Sequence, residues 1–121
     1  MLPLYITSGE PAGIGPDICL DLADRIDDRP VVVLADINML RDRAKILNKS
    51  IQLIEYQGQR ECLAQGQLYV EHVPLAVDVV LGTLNSQNSA YVIEQLRRTA
   101  YYAMQGLSVG VATAPVQKSI I

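Results

Sequence analysis

The sequence predicts an α/β protein with a mostly parallel sheet and helices on both faces. Three observations carry that prediction. Apolar, strand-like runs alternate with segments of helical spacing in the order β, α, β, α, β, loop, β, α, β. Two of the runs, Val31 to Ala35 and Leu107 to Thr113, are continuously apolar or small, as in strands buried on both faces. The first run, Leu2 to Ile6, feeds a turn dense in glycine and proline that opens a helix, a common setting for a ligand site.

That turn, Gly9-Glu10-Pro11-Ala12-Gly13-Ile14-Gly15-Pro16-Asp17, is the most closely specified stretch of the chain. Pro16 suits the first helical position, where its missing N–H costs nothing, which places Gly15 at the N-cap. Asp17 then lies in the first turn, its charge facing exposed N–H groups. Gly9 and Gly13 can take positive φ or admit another group close to the backbone. The Gly-x3-Gly-x-Gly spacing is neither the dinucleotide fingerprint nor a P-loop. Glu10 would repel a bound phosphate unless a cation intervened. From these residues alone, a tight packing turn and a ligand site stand as equal alternatives.

The first helix continues to Ile26, and Asp27-Asp28-Arg29-Pro30 turns the chain into the strand Val31 to Ala35. Asp36 follows as the N-cap of a helix over 37–47, with Leu40, Ala44 and Leu47 on one side and Arg41, Asp42 and Lys45 on the other. Strands are predicted over 51–55 and 68–73, separated by a Gln- and Gly-rich loop over 57–67 with room for one helical turn. Ser89 or Asn85 caps the longest helix, which reaches Gln105 and carries Ile93, Leu96, Ala100, Ala103 and Met104 on one face, an apolar stripe. Gly106 ends it as a C′ residue.

The composition excludes several classes. A net charge of −3 and a pI near 5.0 argue against a nucleic-acid surface. No apolar run approaches the roughly 20 residues that span a bilayer. The first residues lack the basic and apolar regions of an export signal, so a cytoplasmic location is expected. Cys19 and Cys62 form no CxxC motif and are expected as buried thiols. The chain stops shortly past the last strand, where an open sheet places its ligand site, so residues 1–121 are expected to be the N-terminal fragment of one α/β domain.

The loop from Gly9 to Asp17, followed a hundred residues later by Thr113-Ala114-Pro115-Val116-Gln117-Lys118, resembles the 4-hydroxythreonine-4-phosphate dehydrogenase family of vitamin B6 biosynthesis. Gly82-Thr83-Leu84-Asn85, leading to 91–96, is similar to that family's approach to its long helix. Ser8 departs from the proline common before the first glycine, Ser89 from a glycine, and Gln117 from a histidine. The resemblance implies two α/β domains like those of isocitrate and isopropylmalate dehydrogenases, with the site in the cleft of a homodimer. It implies oxidation of the phosphorylated amino acid 4-phosphooxy-L-threonine by NAD or NADP, then loss of CO2 to give 3-amino-2-oxopropyl phosphate. It also implies a divalent metal, usually zinc, on three histidines downstream of this chain. A related oxidoreductase with another phosphorylated or hydroxy-acid substrate, and a non-catalytic fragment, are the alternatives.

On that basis the chain holds no catalytic residue and no metal ligand, and by itself is expected to be inactive. His72, the only histidine, matches none of the family's ligands. The candidates for the cleft wall are Glu10, Gly13, Gly15, Thr113 and Lys118. Lys118 is either a cation for a phosphate or carboxylate or a solvated loop lysine. Thr113 either bonds substrate or caps its turn. Glu10 is expected to accept backbone N–H groups of its own loop in preference to a substrate ammonium or cofactor ribose. Arg97 and Arg98 are read as solvated helix charges, and Tyr101 and Tyr102 as helix packing.

Overall fold

A computed structural model of the chain describes residues 2–25, 29–78, 82 and 86–113. Strands β1 (Leu4–Thr7), β2 (Val31–Ala35), β3 (Gln52–Glu55), β4 (Gln67–His72) and β5 (Gly110–Thr113) form one sheet in the order β3-β4-β2-β1-β5. Each adjacent pair is parallel, with Leu4 opposite Val31, Thr7 opposite Thr113, Val33 opposite Val70 and Leu53 opposite Leu68. Helices α1 (Gly15–Asp21), α2 (Ile37–Ile46) and α3 (Ser89–Met104) cover it. The α/β class with a parallel sheet is as expected.

Strand alternation divides the core into two layers. Val33 and Ala35 of β2 pack with Cys19 and Leu20 of α1 and with Met39, Leu40 and Ala44 of α2. Val32 and Leu34 point the other way, toward Tyr5, Tyr69, Val73 and the α3 residues Tyr91 and Val92. β2 is thus buried on both faces, which accounts for its unbroken apolar run. β1 is followed by β2 on one side of it in the sheet, whereas α3, on the opposite face, delivers the chain to β5 on the other side. The carboxyl ends of β1 and β5 therefore flank a topological switch point, where ligands of open α/β sheets bind.

Several elements differ from their sequence-based form. α1 starts at Gly15 with Ile14 in the N-cap position, so Gly15 and Pro16 are its first two residues and Gly15 is not the cap. After Asp21 the helix tightens into a 3₁₀ turn over Leu22–Asp24 and ends at an extended Arg25; Ile26 lies outside the described residues. The loop over 57–66 holds no helical turn. Cys62 is exposed and Cys19 buried, both as free thiols. Asn85 lies outside the described residues, and Ser89 is the first helical residue of α3.

The largest correction concerns α3. Its inward residues are Tyr91, Val92, Gln95 and Thr99, whereas Ile93, Ala100, Ala103 and Met104 are exposed, Met104 by 84%. Only Leu96 of the expected stripe packs against the core, and it is partly buried. The inward face carries polar groups because it lies over strand ends whose backbone needs partners. β5 is likewise shorter than expected and mostly exposed, with β1 as its neighbour in the sheet.

Candidate functional site at the carboxyl ends of β1 and β5

The glycine loop leaves β1 at Ser8 and is held from both layers. Gly9 has φ +76°, a left-handed conformation that favours glycine. The Gly13 N–H donates to the Glu10 carbonyl at 3.1 Å, closing the turn. A Cβ at Gly13 would lie 3.5 Å from that carbonyl, ordinary contact, so this turn has room for a small side chain there. Glu10 is buried, and its Oε1 accepts the Ala12 N–H of its own loop at 3.4 Å, the local role expected for it. Its Oε2 has no partner among the described residues.

On the α2 side, the guanidinium of Arg43 reaches into the loop. Nη1 donates to the Gly13 carbonyl at 3.3 Å and to Asp17 Oδ1 at 2.7 Å, and Nη2 donates to the Pro11 carbonyl at 2.5 Å. The Arg43 side chain is 4% exposed, that of Asp17 38%. Asp17 thus neutralises a buried cation and does not simply complement the helix N-terminus. Arg43 also lines two surface hollows. One, of about 570 Å³, lies against Asp36, Met39, Leu75 and Asp78; the other, of about 420 Å³, lies against Ala12, Gly13, Ile46 and Gly82.

On the α3 side, Gln95 and Tyr91 meet the strand ends. Gln95 Oε1 accepts the Gly9 N–H at 3.1 Å and lies 3.3 Å from Ser8 Oγ, while its Nε2 approaches the Gly9 carbonyl at 3.5 Å. The Ser8 hydroxyl donates to the Leu34 carbonyl at 2.8 Å. A proline at position 8 could make neither this bond nor that from the Ser8 N–H to the same carbonyl. Tyr91 Oη lies 3.4 Å from Ser8 Oγ and accepts the Asp36 N–H at 2.9 Å. Burial pushes the Tyr91 phenol up to about 12.

Asp36 is the N-cap of α2, as expected. Its Oδ1 accepts the N–H groups of Asn38 and Met39 at 2.9 and 3.1 Å, and its Oδ2 accepts that of Leu75 at 3.0 Å. Both oxygens are engaged by the protein's own backbone. His72, the last residue of β4 and partly buried, accepts the Ile37 N–H through Nδ1 at 3.1 Å. Among the described residues no three His, Cys, Asp or Glu side chains gather as metal ligands.

Of the five cleft candidates, the loop brings Glu10, Gly13 and Gly15 together, and Thr113 ends β5 opposite Thr7. Lys118 lies outside the described residues. Arg98 is half-buried and not simply solvated: it donates to Glu94, to Glu71 and to the His72 carbonyl. Tyr102 stacks on Tyr5 with centroids 4.7 Å apart, and Tyr101 is exposed. Sequence reasoning missed Arg43, Tyr91 and Gln95. The first carried a signal, since it falls within the apolar stripe of Met39, Leu40 and Ala44, where a cation needs a buried partner.

An open parallel sheet with helices on both faces and a glycine loop at its switch point defines a doubly wound α/β fold. Residues 27–121 match the family model described as pyridoxal phosphate biosynthetic protein PdxA, and the chain belongs to that family. It is 45% identical over 122 residues to a 4-hydroxythreonine-4-phosphate dehydrogenase of Pseudoalteromonas translucida, covering 99% of this chain and 37% of that protein. It is also 45% identical over 116 residues to the enzyme of the same name from Neisseria meningitidis serogroup B, covering 96% of this chain and 35% of that protein. The 4-hydroxythreonine-4-phosphate dehydrogenase structure from Klebsiella pneumoniae superimposes with a TM-score of 0.85 at 27% identity, covering 99% of this chain and 39% of that one. The chain therefore spans little more than a third of the length of these relatives. No helix of the described residues is long and apolar enough to cross a membrane.

Proposed function

We propose that this chain is the N-terminal part of an enzyme that oxidises 4-phosphooxy-L-threonine with NAD or NADP in pyridoxal phosphate biosynthesis. The β-keto acid so formed loses CO2 to give 3-amino-2-oxopropyl phosphate. The observation that carries the reading is the glycine loop from Gly9 to Asp17, set at the switch point of a sheet that belongs to the PdxA family. In this reading residues 1–121 form part of one of two domains of a homodimer. Glu10, Gly13, Gly15, Thr113 and Lys118 then belong to one wall of the cleft.

The described residues do not form a metal site, and Nδ1 of His72 is already taken by the Ile37 N–H. Nor does the loop suit a dinucleotide pyrophosphate, because the Glu10 carboxylate is buried within it. On the family resemblance, zinc and the nicotinamide cofactor belong to residues downstream of this segment, and the 121-residue chain alone is inactive. The test is NADH or NADPH formation from 4-phosphooxy-L-threonine by a full-length protein carrying this segment, with divalent metal supplied. Absence of turnover under those conditions would refute the reading.

A further inference from the structure

Two side chains that do not belong to the glycine loop determine where its backbone lies. Gln95 engages both backbone groups of Gly9, accepting its N–H at 3.1 Å and facing its carbonyl with Nε2 at 3.5 Å. Arg43 ties the next turn through the carbonyls of Pro11 and Gly13. Gln95 comes from α3 on one face of the sheet and Arg43 from α2 on the other. Both are buried, at 0% and 3% exposure. Desolvating a guanidinium is costly, and an apolar side chain at position 43 would serve the packing between α1 and α2 better. The charge is useful there for the geometry it imposes, because a planar fork can hold two carbonyls and one carboxylate in fixed relation.

We propose that Gln95 and Arg43 are positioning residues that hold the Gly9–Gly13 backbone in place on the cleft wall and so act on ligand binding through the loop. The proposal rests on the reading of the loop as part of the substrate cleft. Neither side chain need touch the ligand, since each acts on the backbone that forms the cleft wall.

The test uses Gln95→Glu and Arg43→Lys in the full-length protein. A protonated glutamic acid presents the same donor and acceptor edge as glutamine, whereas a carboxylate sets an acceptor against the Gly9 carbonyl. Gln95→Glu should raise KM for 4-phosphooxy-L-threonine or for the nicotinamide cofactor about tenfold on the alkaline side, where even a buried carboxyl is ionised, with kcat changed less than about threefold, and recover as pH falls and the carboxyl takes up its proton. Arg43→Lys should raise the same KM, since an ammonium cannot reproduce the fork. Lowered thermal stability with KM unchanged, or a Gln95→Glu pH profile identical to that of the unsubstituted protein, would overturn the proposal. If the unsubstituted protein does not turn over, the functional reading fails and amide exchange in the full-length protein decides the positioning role. Selective loss of protection at Gly9 in Gln95→Leu, with Val33 unchanged, supports it; loss at both or at neither refutes it.

Discussion

The phenol of Tyr91 accepts the backbone N–H of Asp36 at 2.9 Å, so that α3 satisfies the amide of the residue that caps α2 on the opposite face of the sheet. Tyr91→Phe keeps the ring packing and leaves that N–H without its acceptor. The expected loss is about 1–3 kcal/mol, the range for orphaning a buried donor, read as a lower urea midpoint at unchanged slope. The folded-state pKa of about 12 lies above the ordinary 10, so the phenol contributes stability that is complete below pH 10 and lost as pH rises toward 12. Tyr91→Phe should show a shallower decline over that window. An unchanged midpoint would mean that the Asp36 amide finds another partner.

Asp36 separates two roles that a single alanine substitution would merge. Asp36→Asn keeps a cap oxygen for the Asn38 and Met39 amides but puts an amide nitrogen where Oδ2 accepts from Leu75. Asp36→Ala removes both. The expected order of stability is wild type, Asn, then Ala, with Ala costing about 1–2 kcal/mol through the cap and more through Leu75. Amide exchange should show Leu75 deprotected in both variants and the first turn of α2 deprotected in Ala alone. Equal deprotection of that turn in both would sink the division of labour.

Much of this architecture is legible in the sequence because it rests on local signals. The unbroken run Val31 to Ala35 requires two covered faces, and both are covered. Asp36 before a helical pattern marks a cap, and the structure has it. The inward face of α3 is not legible in this way. The helix has an apolar stripe through Ile93, Ala100 and Met104 and a mixed one through Tyr91, Val92, Gln95 and Thr99, and periodicity favours the first. The fold turns the second inward because the backbone N–H of Gly9 needs an amide and that of Asp36 a phenol, a tertiary requirement that no window of α3 records. For the same reason the clamps on the loop escape a reading that looks for ligand-binding residues inside it.

Glu94 tests the charged side of α3. Arg97 and Arg98 hydrogen-bond its carboxylate at 2.7–2.8 Å and hold it down to about 2, below the ordinary 4.5. A depressed carboxylate contributes stability that is complete above pH 4.5 and lost as pH falls toward 2. Arg97 is 65% exposed, so screening limits the contribution to about 0.5–1 kcal/mol. Glu94→Gln should be less stable than wild type by that amount at pH 7, by less in 0.5 M salt (about a 4 Å screening length), and equal to it near pH 2. A difference that persists at pH 2 would assign the effect to packing.

The outward stripe of α3 supplies the sharpest check on which face is buried. Ile93 and Met104 are 46% and 84% exposed, whereas Val92 is 1% exposed in the layer with Tyr5 and Leu34. Ile93→Lys and Met104→Lys should each change stability of the chain by less than about 0.5 kcal/mol. Val92→Ala should cost about 2 kcal/mol, through two lost methyl groups and the cavity they leave. The lysine variants should also self-associate less in sedimentation, because each replaces an exposed apolar side chain by a charged one. The reverse pattern, with lysine at 104 unfolding the chain and alanine at 92 tolerated, would mean that α3 packs with the face its periodicity favours. The contacts of Gln95 and Tyr91 with the strand ends would then have to be abandoned with it.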